Sequence, residues 1–411
     1  MGNRLEKRKP SEVMRGFGGA GTYSDGKLHY TPKLSHERAF HLVSPEKYEA
    51  ILKEIEQTFK KFGVNSGFYP KNKAEVNKLI KEAEKEDIEL IVRRAQHVGT
   101  DKLKNVITSL QNYLEKHQVK LITNTEIKDL IVSNNSCHGV IDTKGHKIEG
   151  KKVLLAPGRI GAKWLQDLSK KYAVEFQYGM VEVGVRVEFP ESIMKHYADA
   201  LYEIVLKVHT NTFDDTMRTF CSCPNGFVAQ ETYRGYVCVN GYSNSNHLGK
   251  NSNFAFLCEV HLTEPVENSI AYAKSIAELA STIGGGKPIL QRLADLKKGR
   301  RSTWSRIEKS LVTPSLTDVT PGDISMALPH RIVTNIIEGL KKLDSVMPGI
   351  NSGSTLLYAP EVKFRSSQIV TDKALQTDVK NLYVAGDAAG LSGSITGAAA
   401  TGILAAHGML K

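Results

Sequence analysis

Two kinds of hydrophobic spacing alternate along the chain. Residues 45–61 and 74–85 mix apolar positions with lysine and glutamate at helical intervals, which predicts two amphipathic helices. Ile88 to Val92 reads as a short strand. A third helix is expected from about Asp101 to Lys116, after His97-Val-Gly-Thr-Asp101, with Thr100 or Asp101 as its N-cap. Val119 to Thr123 predicts another strand. Three Ile- and Val-rich pieces follow, divided by Asn134-Asn135 and Lys144-Gly145, the pattern of a β-meander. Lys152 to Ala156 is a strand that ends in Ala156-Pro157-Gly158-Arg159. From about residue 177 the pattern changes. Strand-like runs dominate at Val181–Val187, Met217–Cys223, Tyr236–Tyr242 and Phe254–Leu262, with helices expected near 266–282, 288–296 and 329–344. Strands return at 355–370. The order predicts an α/β chain in which residues 1–176 and 355–411 form one split domain around an inserted α+β domain, 177–354.

The C-terminal segment narrows the chemistry. An apolar strand, Leu382 to Ala385, runs into Gly386-Asp387, then a glycine-rich turn through Ala388 and Gly390, then a helix opening near Ser394 that is small-sided on every face. This suits a flavin. Gly386 lets the backbone approach a ligand closely. Asp387, at the carboxyl end of a strand, can accept hydrogen bonds from the hydroxyls of a ribityl chain. The helix that starts at Ser394 and Ile395 aims free N–H groups and a partial positive charge at the pyrimidine edge of an isoalloxazine ring. A plain strand-turn-helix with Asp387 as N-cap would need neither the three glycines nor the Gly and Ala run.

A second glycine cluster is misleading. Gly16-Phe-Gly18-Gly-Ala-Gly21 fits the G-x-G-x-x-G expression, but no apolar strand precedes it and Thr22-Tyr-Ser-Asp-Gly-Lys follows it where a helix should start. It reads instead as a ligand-hugging loop within residues 16–28, where Gly18, Gly19 and Gly21 allow close approach and Ser24 or Asp25 supplies hydrogen bonds; an ordinary surface turn is the alternative. Gly284-Gly-Gly-Lys-Pro288 lacks P-loop spacing and reads as a helix terminator. The N-terminal βαβ unit that would hold the ADP half of FAD is therefore not found in the sequence.

Bulk properties exclude some classes. The 411 residues fit two domains, and no apolar run reaches the length of a membrane-spanning helix. The N-terminal residues have no apolar signal-peptide core. Five cysteines without zinc spacing fit a reducing cytoplasm, the expected compartment. A net charge of +11 comes from lysines mixed with glutamates, which reads as solvated helix surface. A nucleic-acid face is disfavoured, since no basic block interleaves with aromatic residues.

At this point the chain resembles a known family, the uncharacterised bacterial FAD-dependent dehydrogenases related to glutathione-reductase-type flavoproteins. The resemblance runs through Gly18–Leu28, His97–Asp101, Ala156–Arg159, Arg218–Cys221, Val239–Ser243, Asn253–Phe256, Gly286–Pro288, Gln291–Arg292, Gly299–Thr303, Pro321–Ile324, Glu361–Phe364 and Gly386–Gly390. It implies a split glutathione-reductase-type, Rossmann-like FAD-binding domain, incomplete at its N-terminus. By resemblance, Gly386, Asp387 and Ile395 contact the ribityl and flavin, Gly18, Gly19 and Thr22 line the flavin side, the backbone of Ile127 meets the adenine, and Ala156 and Gly158 sit by the ADP. Ala388 replaces the family's usual glycine. Family members open with a βαβ fingerprint and an acidic residue, and Met1 falls just after where that residue should be. The expectation is a truncated chain, or one half of a split protein whose partner chain carries the βαβ unit.

The reaction implied is a two-electron or hydride transfer through FAD on a small-molecule substrate, with NAD(P)H as a candidate electron donor. The cofactor carries the hard chemistry, so no catalytic triad is expected and none is found. Lys27, Arg218, Lys363 and Arg365 are candidates for an anionic substrate, although each such residue is more often a surface or domain-interface cation. Cys221-Ser222-Cys223 could be a redox pair, but a disulfide between residues two apart on a strand is strained, so structural cysteines are the favoured reading. His97 and His247 are single histidines for which a helix-cap or loop role is favoured over that of a general base, and no metal-ligand spacing occurs. Two rivals stay open: a subunit that does not bind FAD alone and serves in assembly, and a flavoprotein acting on RNA.

Overall fold

A computed structural model describes residues 16–24, 26–34, 36–233, 236–243, 248–262, 268–364 and 367–411. The described residues divide into two compact units, one within 69–92 and 180–364, the other within 16–68, 93–179 and 367–411.

The first unit is built on an eight-stranded sheet. Its order is Thr320–Pro321, Ile289–Arg292, Leu356–Phe364, Val181–Pro190, Asn251–Val260, Thr216–Cys223, Leu206–His209 and Ile88–Leu90. All of its pairings are antiparallel except that of the first two strands. The central strand, Val181–Pro190, alternates perfectly. Val181, Val183, Val185, Val187 and Phe189 point one way and join a core with Phe256, Ala273, Ile276, Ile336 and Leu340. Helix His330–Leu343 comes so close that a Cβ on Gly339 would stand 2.5 Å from the Phe256 ring.

The second unit has small sheets. Val153–Leu155 and Leu382–Val384 pair in parallel, Leu382 opposite Val153. The meander Ile127–Ser133, Ser136–Asp142 and Lys147–Glu149 forms as expected, turning at Asn134 and Asn135, both with positive φ. Helices Pro45–Lys61 and Ile395–Leu410 pack through Tyr48, Leu52 and Ile55 on one side and Ala400, Leu404 and Ala405 on the other within one core. Ser44 caps the first of them by accepting the Lys47 N–H. Among the described residues no helix is long and apolar enough to cross a membrane.

Several expectations need correction. Val119 to Thr123 is not a strand; Val119 and Ile122 are exposed, and no neighbouring strand takes up the segment. Helix Thr100–Lys116 is preceded by Gly99 at φ +90° rather than capped by Thr100 or Asp101, both of which lie inside it. Residues 288–296 split into strand Ile289–Arg292 and the short helix Leu293–Lys297, because Ile289–Arg292 hydrogen-bonds along Leu356–Phe364. The domain limits also move. Leu356–Phe364 pairs along the central strand, Val181 opposite Phe364, so the sheet unit runs to 364 rather than 354. Ile88–Leu90 pairs with Leu206–Val208 and brings helix Lys73–Lys85 into the same unit.

Candidate functional site

The site lies at the carboxyl ends of the two parallel strands of the second unit, the place where open α/β sheets bind ligands. Beyond Leu382–Val384, Ala385 donates its N–H to Leu155 O at 3.0 Å. Gly386 then turns with φ +78° and ψ −162°, a region open to glycine alone. Its N–H is held by Thr401 Oγ1 at 2.9 Å, which ties the turn to the C-terminal helix. A Cβ at Gly386 would meet nothing within 4 Å, so the turn faces open space.

Asp387 follows. Ser392 Oγ donates to its Oδ1 at 2.5 Å, and Arg159 Nη2 stands 3.9 Å from its Oδ2. Arg159 comes from the turn after the other parallel strand. There Gly158 has φ +66°, and a Cβ on it would also meet nothing within 4 Å. Two strand ends thus present adjacent open glycines with one carboxylate and one guanidinium beside them. Ala156 is exposed at the same strand end.

The C-terminal helix starts at Ile395. Ser394 caps it, its Oγ accepting the Gly397 N–H at 3.0 Å. The first N–H groups of a helix have no partner within it, so this end remains a donor surface. The glycine loop meets it: a Cβ at Gly21 would lie 3.2 Å from Ile395 Cγ1. Gly18 has φ +82°, and a Cβ there would strike Thr22 Oγ1. Gly19 has φ +54° and open space around it. Thr22 Oγ1 is buried and has no hydrogen-bond partner among the described residues.

Other expected residues have different duties. Ser24 Oγ donates to Gly21 O at 2.8 Å and accepts the Gly26 N–H at 3.2 Å, closing the loop on itself. Gly390, at φ +70°, turns towards Arg38 and Ser367, where a Cβ would be 2.7 Å from Ser367 O; it is a packing glycine, and Arg38 Nη1 donates to its carbonyl at 2.8 Å. Ala388 is buried and has no positive φ, so nothing at this position requires glycine. Ile127 opens the meander opposite Asp142. Lys27 lies in the antiparallel pair Lys27–His29 with Ala95–His97, opposite His97. Arg218 and Lys363 belong to the sheet unit and are held by carboxylates: Arg218 is buried and bidentate on Glu182, and Lys363 Nζ stands 3.0 Å from Glu361 Oε1. Neither is an open substrate cation. Asp25, Arg365 and His247 lie outside the described residues.

Sequence reasoning missed His36. It is fully buried, with Nδ1 2.9 Å from Tyr48 OH and Nε2 3.0 Å from Ser394 Oγ and 3.2 Å from Thr396 Oγ1. Thr396 in turn donates to His29 O at 2.6 Å. His36 therefore fixes the start of the C-terminal helix against helix Pro45–Lys61. A single histidine in a loop gives no sign of this. A cavity of about 640 Å³ lined by Ser44, Lys47, Lys373, His407 and Lys411 lies at the opposite end of the C-terminal helix and contains none of the site residues. Among the described residues no group of His, Cys, Asp and Glu could hold a metal ion.

The arrangement fits FAD: open glycines at two strand ends, an acceptor carboxylate between a hydroxyl and a guanidinium, a helix N-terminus, and a buried threonine hydroxyl without a partner. Over its whole length the chain is similar to an uncharacterized protein of Clostridium beijerinckii, 24% identical over 420 residues, covering 98% of this chain and 71% of that one. Glycine oxidase from Bacillus cereus overlays with a TM-score of 0.33 at 12% identity, covering 95% of this chain and 85% of that one. L-proline dehydrogenase from P. horikoshii gives 0.35 at 12%, covering 89% and 79%. At that level of overlap neither bears on the substrate. Residues 180–364 match the family described as FAD-dependent protein, C-terminal domain-like, and they coincide with the long segment of the sheet unit.

Proposed function

We propose that this chain is an FAD-dependent oxidoreductase acting on a small molecule. The observation that carries the reading is the Gly386-Asp387 turn, open on its ligand side, at the end of a parallel strand pair and in front of the Ser394-capped helix. FAD, when bound, supplies two-electron or hydride transfer through its N5. The protein binds and orients. Asp387 accepts from the ribityl hydroxyls. The N–H groups at Ile395 and Thr396 favour negative charge at the pyrimidine edge. In this reading Gly158 and Arg159 hold the pyrophosphate, and Gly18, Gly19, Gly21 and Thr22 line the flavin beside Ile395. NAD(P)H remains a candidate donor.

The same reading includes a partner chain. Val153–Leu155 has one strand neighbour, Leu382–Val384, among the described residues. Its other edge suits a parallel strand from a βαβ unit, supplied by a partner chain, whose helix N-terminus would complete the pyrophosphate site. The test is FAD titration by flavin fluorescence, with and without such a segment. Quenching that saturates at one FAD per chain supports the reading. Absence of FAD binding in both preparations overturns it.

A further inference from the structure

Hydrogen-bond accounting at the start of the C-terminal helix leaves one side-chain donor unspent. A serine or threonine hydroxyl donates once and accepts up to twice. Thr396 spends its proton on His29 O, at 2.6 Å, because a carbonyl can only accept. Towards His36 Nε2, 3.2 Å away, Thr396 Oγ1 is then left as an acceptor. The proton of that contact therefore sits on Nε2. The same N–H reaches Ser394 Oγ at 3.0 Å, so it forks between the two hydroxyl oxygens. In the neutral ring Nδ1 is left to accept from the Tyr48 hydroxyl at 2.9 Å, and a charged ring donates from Nε2 just the same. A protonated Nε2 cannot draw the Ser394 proton, so the pair is not a serine nucleophile with its base.

Ser394 Oγ also accepts the Gly397 N–H, at 3.0 Å. With the His36 N–H, both of its lone pairs are used. Its own O–H has to donate elsewhere, and among the described residues only His36 and Gly397 meet this oxygen. Ser394 is half-buried, so the way out is not closed. The next residues are Ile395 and Thr396, whose N–H groups belong to the helix start and have no partner within the helix. The glycine loop that meets Ile395 carries Thr22, whose buried hydroxyl has no hydrogen-bond partner among the described residues.

We infer that His36 is a positioning residue: by filling a lone pair of Ser394 Oγ with its Nε2–H, it turns the Ser394 O–H outward as a donor to an acceptor on the pyrimidine edge of FAD. The inference rests on the flavin reading of this site. Backbone N–H groups at the helix start cannot turn, whereas a hydroxyl can rotate, and the His36 bond removes that freedom. A fixed donor favours the form of the cofactor that carries more negative charge at that edge, which is reduced FAD.

The test has an arm without FAD and an arm with it. In the full chain with its histidine nitrogens isotope-labelled, and with His36→Gln to assign the signal, NMR at neutral pH should find a proton on Nε2. A bare Nε2 overturns the inference. In the FAD-loaded chain, with the βαβ segment added where FAD requires it, the readout is the midpoint potential of the flavin. Ser394→Thr keeps both cap and hydroxyl and should leave the potential in place. Ser394→Gly keeps a tolerated cap but has no proton to give. Its preference for reduced over oxidised FAD should fall about tenfold, a drop of about 30 mV for a two-electron couple. His36→Gln retains an N–H for Ser394 and should stay near the wild-type value, whereas His36→Leu should shift as Ser394→Gly does. Equal potentials in Ser394→Gly and wild type, with FAD bound to both, overturn the inference and leave the flavin reading standing. A wild-type chain that has the Nε2 proton and binds no FAD defeats the flavin reading, and this contact with it.

Discussion

At the scale of single residues, the candidate site depends on a few side chains whose partners are now defined. Asp387 is held by Ser392 and lies near Arg159, and in the proposed function it accepts from the ribityl hydroxyls. Hydrogen bonds to charged groups contribute about 1.5–3 kcal/mol, so Asp387→Ala should weaken FAD binding at least about tenfold, as read by fluorescence titration. Unchanged affinity would remove Asp387 from the site. A residue of the sheet unit sets a pH response. Arg331 donates two bonds of 2.6 Å to the Asp215 carboxylate, and Asn335 donates a third at 2.7 Å. The Arg331 bonds, aided by Asn335, hold Asp215 below the usual carboxylate range. A carboxyl with a depressed folded pKa stabilises the fold above its unfolded value, near about 3.9, and that stabilisation is lost as pH falls through the folded pKa. Arg331→Gln should therefore raise the pH midpoint of acid unfolding followed by circular dichroism. A midpoint that does not move would show that the pair contributes nothing to acid stability.

At the scale of elements, the C-terminal helix and the central strand show what neighbours do to a pattern. The helix begins where Ser394 caps it and where His36 joins Ser394 and Thr396 to Tyr48. Replacing a serine cap costs about 1 kcal/mol, and here the same hydroxyl also meets a buried imidazole. Ser394→Ala should lower the thermal midpoint by about 2–4 °C, the scale for that energy in a unit of this size, and should weaken FAD binding as the helix start loosens. Calorimetry with and without FAD checks both. The central strand has a different lesson. Val181–Pro190 alternates like a strand with one wet face, yet Glu182, Arg186 and Glu188 are all buried. Hairpin Phe227–Tyr233 with Tyr236–Tyr242 approaches that face, and a side chain on Gly241 would collide with the Arg186 guanidinium. Each buried charge has a partner: Arg218 for Glu182, Glu361 for Arg186, and Tyr358, Asn251 and Ser315 for Glu188. Burial without those partners would be prohibitive.

At the scale of the whole molecule, the parallel pair Val153–Leu155 and Leu382–Val384 is the feature with consequences. Among the described residues Val153–Leu155 has no second strand neighbour, and such an edge invites pairing with another chain. The 411-residue chain alone is expected to associate and to hold FAD weakly. A βαβ segment added in cis or in trans should give a yellow, monodisperse protein. Size-exclusion chromatography with flavin absorbance decides. A stable monomer with stoichiometric FAD from the chain alone would show that another segment holds the ADP moiety.

Local chemistry was legible in the sequence wherever backbone conformation is set by neighbours in the chain. The meander turns at Asn134-Asn135, the helices 45–61 and 329–344, and the strand-Gly386-Asp387-helix unit all follow from propensity, period and glycine, and the structure has them at or within a few residues of those positions. The same rules failed where two readings are locally equivalent. Ile289–Arg292 looks helical until Leu356–Phe364 lies beside it, and Val119–Thr123 looks like a strand until no strand does. The unit limits were decided by pairings between segments distant in sequence, Val181 with Phe364 and Ile88 with Val208. So was the meeting of Gly21 with Ile395, the role of His36, and the matching of Arg218 and Lys363 by Glu182 and Glu361. By itself the sequence determined which short segments turn, cap and alternate, because those energies act between near neighbours. Tertiary structure alone decided which polar face is buried and which charges meet, because desolvation and ion pairing depend on what the fold brings into contact.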